Sequence, residues 1–124
     1  MTRQECSAQI ARIRLLAKKW YSPLRLFEWD ITWKYMDGEL ISDGVLAELA
    51  VATTTADWRY RHCTIQWNLK LVAEQADAVL ERILIHEVMH IHLNEMRESD
   101  DIGHEERVAS TLALCFSDLA RRMK

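Results

Sequence analysis

Proline and glycine are scarce in this chain, at one and three residues in 124. With 49% apolar and 28% charged residues, the balance predicts an ordered soluble globule with disorder only at its ends. Cysteine is sparse as well: Cys6, Cys63 and Cys115 lie far apart, no two in CxxC spacing, and their number is odd. That pattern signals neither a disulfide framework nor a cysteine zinc site, and free thiols in a reducing compartment are expected. Basic clustering is missing too. The formal charge is −3 and, beyond the pairs Lys18–Lys19 and Arg121–Arg122, cations are scattered, so no phosphate-binding stripe and no nucleic-acid partner is predicted. No apolar run approaches the roughly 20 residues of a membrane span. The opening MTRQECSAQIARIRLLAKKW carries charges through its apolar positions, unlike a signal peptide. The expectation is a cytoplasmic protein with no membrane partner.

What remains fits a single domain over residues 1–124, large enough for a core but not for a separate catalytic module. From about Glu5 to Trp20, the positions Ile10, Ile13, Ala17 and Trp20 recur at helical spacing, and Ser22 and Pro23 end the run. In LFEWDITWKYM, Trp29, Ile31, Trp33 and Tyr35 alternate with Asp30, Thr32 and Lys34, the period of a strand with one buried face. Asp37–Gly38 and Asp43–Gly44 supply turn signals. VLAELAVATTT and WRYRHCTIQW read as two more strands, the latter with Arg59, Cys63, Ile65 and Trp67 on one face. Short connections predict a mainly antiparallel meander. Around Ala73 the period becomes helical and runs to about Glu98. After SDDIG, a last helix starts at HEERVASTLALCFSDLARR, acidic in its first turn and basic in its last. The expected chain is α+β, in the order helix, three strands, helix, helix.

The stretch RILIHEVMHIHLNEM, residues 82–96, carries the chemistry. Residues at i and i+4 share a helix face, so His86 and His90 can direct imidazole nitrogens at one point about 2 Å from each, as zinc requires. Glu87 can set its carboxylate beside an open coordination position, where a water needs a base. The two histidines continue a stripe through Val79 and Ile83 that is expected to face the core. With no metal they would be two core histidines, but burying them with a carboxylate would demand several hydrogen-bond partners. His92 points elsewhere and is not an expected ligand.

A catalytic zinc ion takes three protein ligands and a water, so a third ligand must come from outside this helix. His104, Glu105 and Glu106 are the candidates. Glu106 heads a stripe of mostly small residues, Ala109, Ala113, Phe116 and Ala120, that could pack closely on the histidine helix. Glu105 heads another, Val108, Leu112, Cys115 and Leu119, that could also be buried.

These residues resemble those of a minimal zincin, an HExxH zinc metallopeptidase, and nearly the whole chain is similar to the small gluzincin-like, ImmA/IrrE-type domains of phages and prophages. In such proteins a helix and a three-stranded sheet precede the histidine helix, and a further helix brings the third ligand. Their glutamate pattern E-x-x-A-x-x-F/L-A is met by Glu106, Ala109, Leu112 and Ala113. The more distant SprT-like domains use a histidine within a segment resembling IGHEERV. Gly103 and His104 match it, but the expected aromatic is missing. The resemblance implies one Zn²⁺ per chain, Glu87 as general base, and a peptide or protein substrate bound as an extended strand near residues 58–67. Tyr60, Arg61 and His62 are the oxyanion-binding candidates there. An inactive binding or regulatory module on the same fold, or a zinc hydrolase of non-peptide amides, would use the same residues.

Overall fold

The computed structural model describes residues 1–38, 41–42, 45–46, 50–94 and 105–122. Helix α1 (Arg3–Trp20) begins two residues before the apolar pattern does because Thr2 and Glu5 form a capping box. Thr2 Oγ1 accepts from the Glu5 amide at 3.1 Å, and the Glu5 carboxylate accepts from the Thr2 amide at 3.4 Å. Ile13 and Trp20 are buried, with Ile10 and Ala17 half-buried on the same face, as the spacing predicts.

The sheet corrects the expected meander. Strands β1 (Asp30–Met36), β4 (Ala52–Asp57) and β5 (His62–Asn68) lie in the order β1-β5-β4, with β1 parallel and β4 antiparallel to β5. The sheet is therefore mixed, and β2 (Ile41–Ser42) and β3 (Val45–Leu46) pair antiparallel as a separate ribbon. Burial explains the order. Cys63, Ile65 and Trp67 of β5 are at most 1% exposed and take the centre, while the threonine-rich β4 takes an edge. The stretch read as one strand, VLAELAVATTT, is divided between β3 and β4. Trp58–Arg61 form the turn into β5 rather than its first half, and Arg61 has a left-handed φ of 50°, so Arg59 is not on the buried face. Register sets Ile31, Trp33 and Tyr35 beside Cys63, Ile65 and Trp67, with Thr54 and Ala52 on the far side.

The helix expected from about Ala73 begins instead at Asp77, and a separate short helix precedes it. A short α2 (Leu69–Ala73) is followed by α3 (Asp77–Asn94). Arg12 of α1 holds the break: its guanidinium donates to the Val72 and Gln75 carbonyls at 3.1 and 2.7 Å and pairs with Asp77 at 2.7 Å. Carbonyls that a helix end leaves without partners are satisfied from a distant element. The expected end near Glu98 and the Asp43–Gly44 turn fall outside the described residues.

Helix α3 packs against β4 and α4 (Glu105–Arg122). Its fully buried face is Leu80, Leu84, Ile85, Val88 and Ile91. Val79, Ile83, His86, His90 and Leu93 are only half-buried, so this stripe borders a cleft instead of facing the core. On α4, Ala109, Ala113 and Ser117 are buried and Phe116 and Ala120 half-buried, whereas Val108, Cys115 and Leu119 are exposed. The small-residue stripe is the inward one because alanines let the two helices approach closely. No helix among the described residues is long and apolar enough to cross a membrane.

Candidate metal centre

His86 and His90, one turn apart on α3, meet edge to face with ring centroids 4.8 Å apart and their Nε2 atoms 3.1 Å apart. Glu106 reaches them from the first turn of α4. Its carboxylate oxygens lie 3.2 Å from His86 Nε2 and 2.6 Å from His90 Nε2. One ligand atom from each of the three residues falls within a 4.8 Å group. The Glu106 side chain is 76% exposed, so although it heads the inward stripe it sits on the open rim of the cleft.

Glu105, the other acidic candidate, is only 13% exposed and lies on the opposite side of the same ring, 2.9 Å from His90 Nδ1. Ser110 Oγ lies 3.3 Å from His86 Nδ1. With Nδ1 protonated on both rings, Glu105 and Ser110 accept those protons. In that tautomer both Nε2 lone pairs face the Glu106 carboxylate, an arrangement that a shared proton or a bound cation would relieve. Tetrahedral zinc with bonds of about 2.0–2.1 Å separates its ligand atoms by roughly 3.3 Å. The observed separations are close to this or shorter, and the exposed Glu106 has room to open. The donor set is compatible with zinc, and Glu105 lies on the side of the His90 ring away from Glu106, where an outer partner of a ligand can sit.

Glu87 is buried between the sheet and the cluster, at 7% exposure. Thr54 Oγ1 of β4 donates to its Oε2 at 2.8 Å. Burial pushes the Glu87 carboxyl up to about 7, with the Glu106 charge adding to the rise, against the opposing pull of the Thr54 hydrogen bond and His90. Burial also holds the His86 imidazole below its ordinary value, although Glu106 favours its charged form.

Two cavities open on the cluster. A polar one of about 370 Å³ lies between β4 and His90, Asn94, Glu105 and Glu106. A mainly apolar one of about 550 Å³ runs past His86 toward Val79, Arg82 and Ile83, with Ser110, Ala113 and Leu114 across from them. Glu87 and Ala52 line both. The strand along this cleft is β4, not the segment 58–67: β5 is paired on both sides, whereas among the described residues β4 pairs only with β5 within the three-stranded sheet. Tyr60, Arg61 and His62 line neither cavity. His62 instead contacts Thr32 Oγ1 at 3.2 Å on the polar face of the sheet, and Tyr60 is 79% exposed.

His86, Glu87, His90, Glu105 and Glu106 are thus brought together, while His104 lies outside the described residues. His92 turns away, its Nε2 2.6 Å from the Leu24 carbonyl. Sequence reasoning missed Ser110 and Thr54. Ser110 stands one helical turn beyond Glu106, a spacing that could have marked it. Thr54 carried no signal within TTTAD beyond the strand period. No family model matches the chain, and comparison with the curated proteins and with solved structures also gave no match.

Proposed function

We propose that this chain is a zinc-dependent metallopeptidase of the HExxH kind, with one zinc ion on His86, His90 and Glu106. The observation that carries this reading is the convergence of three ligand atoms from two helices within 4.8 Å, beside a buried glutamate held by its own hydrogen bond. A zinc ion bound there supplies Lewis acidity that polarises a carbonyl and makes water easier to deprotonate. The remaining chemistry belongs to the chain. Glu87, fixed at Oε2 by Thr54, takes a proton from water as the water oxygen adds to the peptide carbonyl carbon. It then gives that proton to the amine nitrogen as the C–N bond breaks. Glu105 and Ser110 hold the two imidazoles in the tautomer that leaves each Nε2 free. An extended peptide substrate pairs with the edge of β4 that has no partner strand among the described residues, across both cavities.

The test combines zinc content, by elemental mass spectrometry on protein purified without chelator, with a peptide-cleavage screen of the parent and of Glu87→Gln. About one zinc per chain in both proteins, with cleavage reduced about a hundredfold or more in the variant, is the expected result. Absence of zinc, or equal cleavage by the variant, overturns the proposal. Zinc binding with no cleavage of peptides or other amides would identify a binding module on the same fold.

A further inference from the structure

We infer that Arg82 is a specificity residue that binds a substrate carboxylate in the apolar cavity beside His86; this deepens the peptidase reading and rests on it. Arg82, His86 and His90 follow one another at steps of four along α3. Arg82 therefore stands one turn, about 6 Å, from the candidate metal ligand His86. It lines the same cavity of about 550 Å³ as His86 and Glu87, among Val79, Ile83, Ala113 and Leu114.

Burial and pairing together single this arginine out: Arg3, Arg14, Arg107 and Arg122 also lack a hydrogen bond or ion pair among the described residues, but all four are exposed. Arg12, Arg25 and Arg59 each have a carboxylate partner, Asp77, Glu28 and Asp57 respectively. Arg82 is half-buried, with neither a hydrogen bond nor an ion pair among the described residues. No carboxylate among the described residues pairs with this guanidinium, so a substrate carboxylate entering the cavity would be its first charged partner. Its planar fork suits two parallel hydrogen bonds to a carboxylate.

Geometry limits where that carboxylate sits. An extended peptide advances about 3.3 Å per residue, so a turn of helix spans about two residues of substrate. The group that Arg82 reads is one or two residues from the bond aligned with His86, next to an apolar side chain that fills the cavity. It is either the C-terminal carboxylate of a short peptide or an Asp or Glu side chain within a longer one.

Three hydroxamate-capped dipeptide probes separate these sources: Leu-Ala ending in a free carboxylate, Leu-Ala ending in carboxamide, and Leu-Asp ending in carboxamide. Their affinities are measured by isothermal titration with and without one equivalent of zinc, for the parent and for Arg82→Gln. The expected result is zinc-dependent binding of all three, with one or both carboxylate probes about tenfold tighter than the neutral probe. The preference should shrink at high salt and vanish in Arg82→Gln. Preference for the free C-terminus alone identifies a reader of peptide ends; equal preference for Leu-Asp identifies a reader of acidic side chains. Equal affinity of all three probes for the zinc-loaded parent overturns the inference and leaves the peptidase reading standing. Absence of zinc-dependent binding by any probe overturns both. The comparison within the parent protein is decisive even if the variant does not fold.

Discussion

Glu87 and Thr54 form a pair in which a hydroxyl from an edge strand fixes the carboxylate of a helix, at 2.8 Å. Thr54→Val keeps the shape and removes the donor. Cleavage should fall about tenfold or more while zinc content stays near that of the parent; unchanged turnover would show that Glu87 needs no such support. The two acidic residues that open α4 should also separate. Glu106→Ala should lose most of the bound zinc, whereas Glu105→Gln, which alters the partner of His90 Nδ1, should weaken zinc by about 10- to 100-fold. Competition against a chelating dye gives both values, and the reverse ranking would make Glu105 the ligand. Among the thiols, Cys115 is exposed and Cys63 buried, with the Cys63 thiol pushed up to about 12 by burial and, less strongly, by Asp30. In native protein, iodoacetamide should label Cys115 and spare Cys63 until denaturant is added, as peptide mapping would record. These cysteines were correctly read from sequence as unpaired, but their difference in reactivity was not, because burial depends on which strand becomes central.

Elements reveal how far periodicity carries. The stripe of α1 was legible because that helix has one core-facing side and solvent on the other, the condition under which spacing reports burial. On α4 spacing left two stripes open, and packing against α3 chose the one through Ala109 and Ala113. Helix α3 is covered on several sides, with Leu80, Ile85, Glu87 and Ile91 all buried. Its apolar residues surround the helix, so spacing could not say which stripe borders the cleft. The break between α2 and α3 was hidden for another reason: its stabilising partner, Arg12, is distant in sequence. Arg12→Ala should lower unfolding free energy by about 1–3 kcal/mol, since it strands carbonyls at a helix end. The exposed pair of Arg25 with Glu28 is screened by solvent and should tolerate Arg25→Ala with little change. Urea denaturation compares the two, and equal losses would remove Arg12 from its role. Ala109→Leu, which adds volume at a fully buried position of α4 three residues beyond Glu106, should cost about 1–3 kcal/mol and weaken zinc binding by displacing Glu106.

For the whole molecule, a metal held by His86 and His90 of α3 and Glu106 of α4 would tie the last helix to the body of the fold. Zinc at about a hundredfold over its dissociation constant should raise stability by about 2.7 kcal/mol, seen as a higher melting temperature that a chelator reverses. The double variant His86→Ala/His90→Ala should show no zinc response; a persistent shift would place the metal elsewhere. The sequence by itself determined the α+β class, the grouping of Cys63, Ile65 and Trp67 on one face of β5, the HExxH pair and the short acidic segment in which a third ligand was to be sought. These follow from local spacing along one chain. Only tertiary structure decided that β5 lies between β1 and β4, that β4 borders the cleft, and that Glu105 and Glu106 approach opposite nitrogens of one histidine. It also left Arg82 lining an apolar cavity without a partner among the described residues. Such outcomes depend on which surfaces compete most strongly for burial and on the relative rotation of two packed helices, quantities that no single segment encodes.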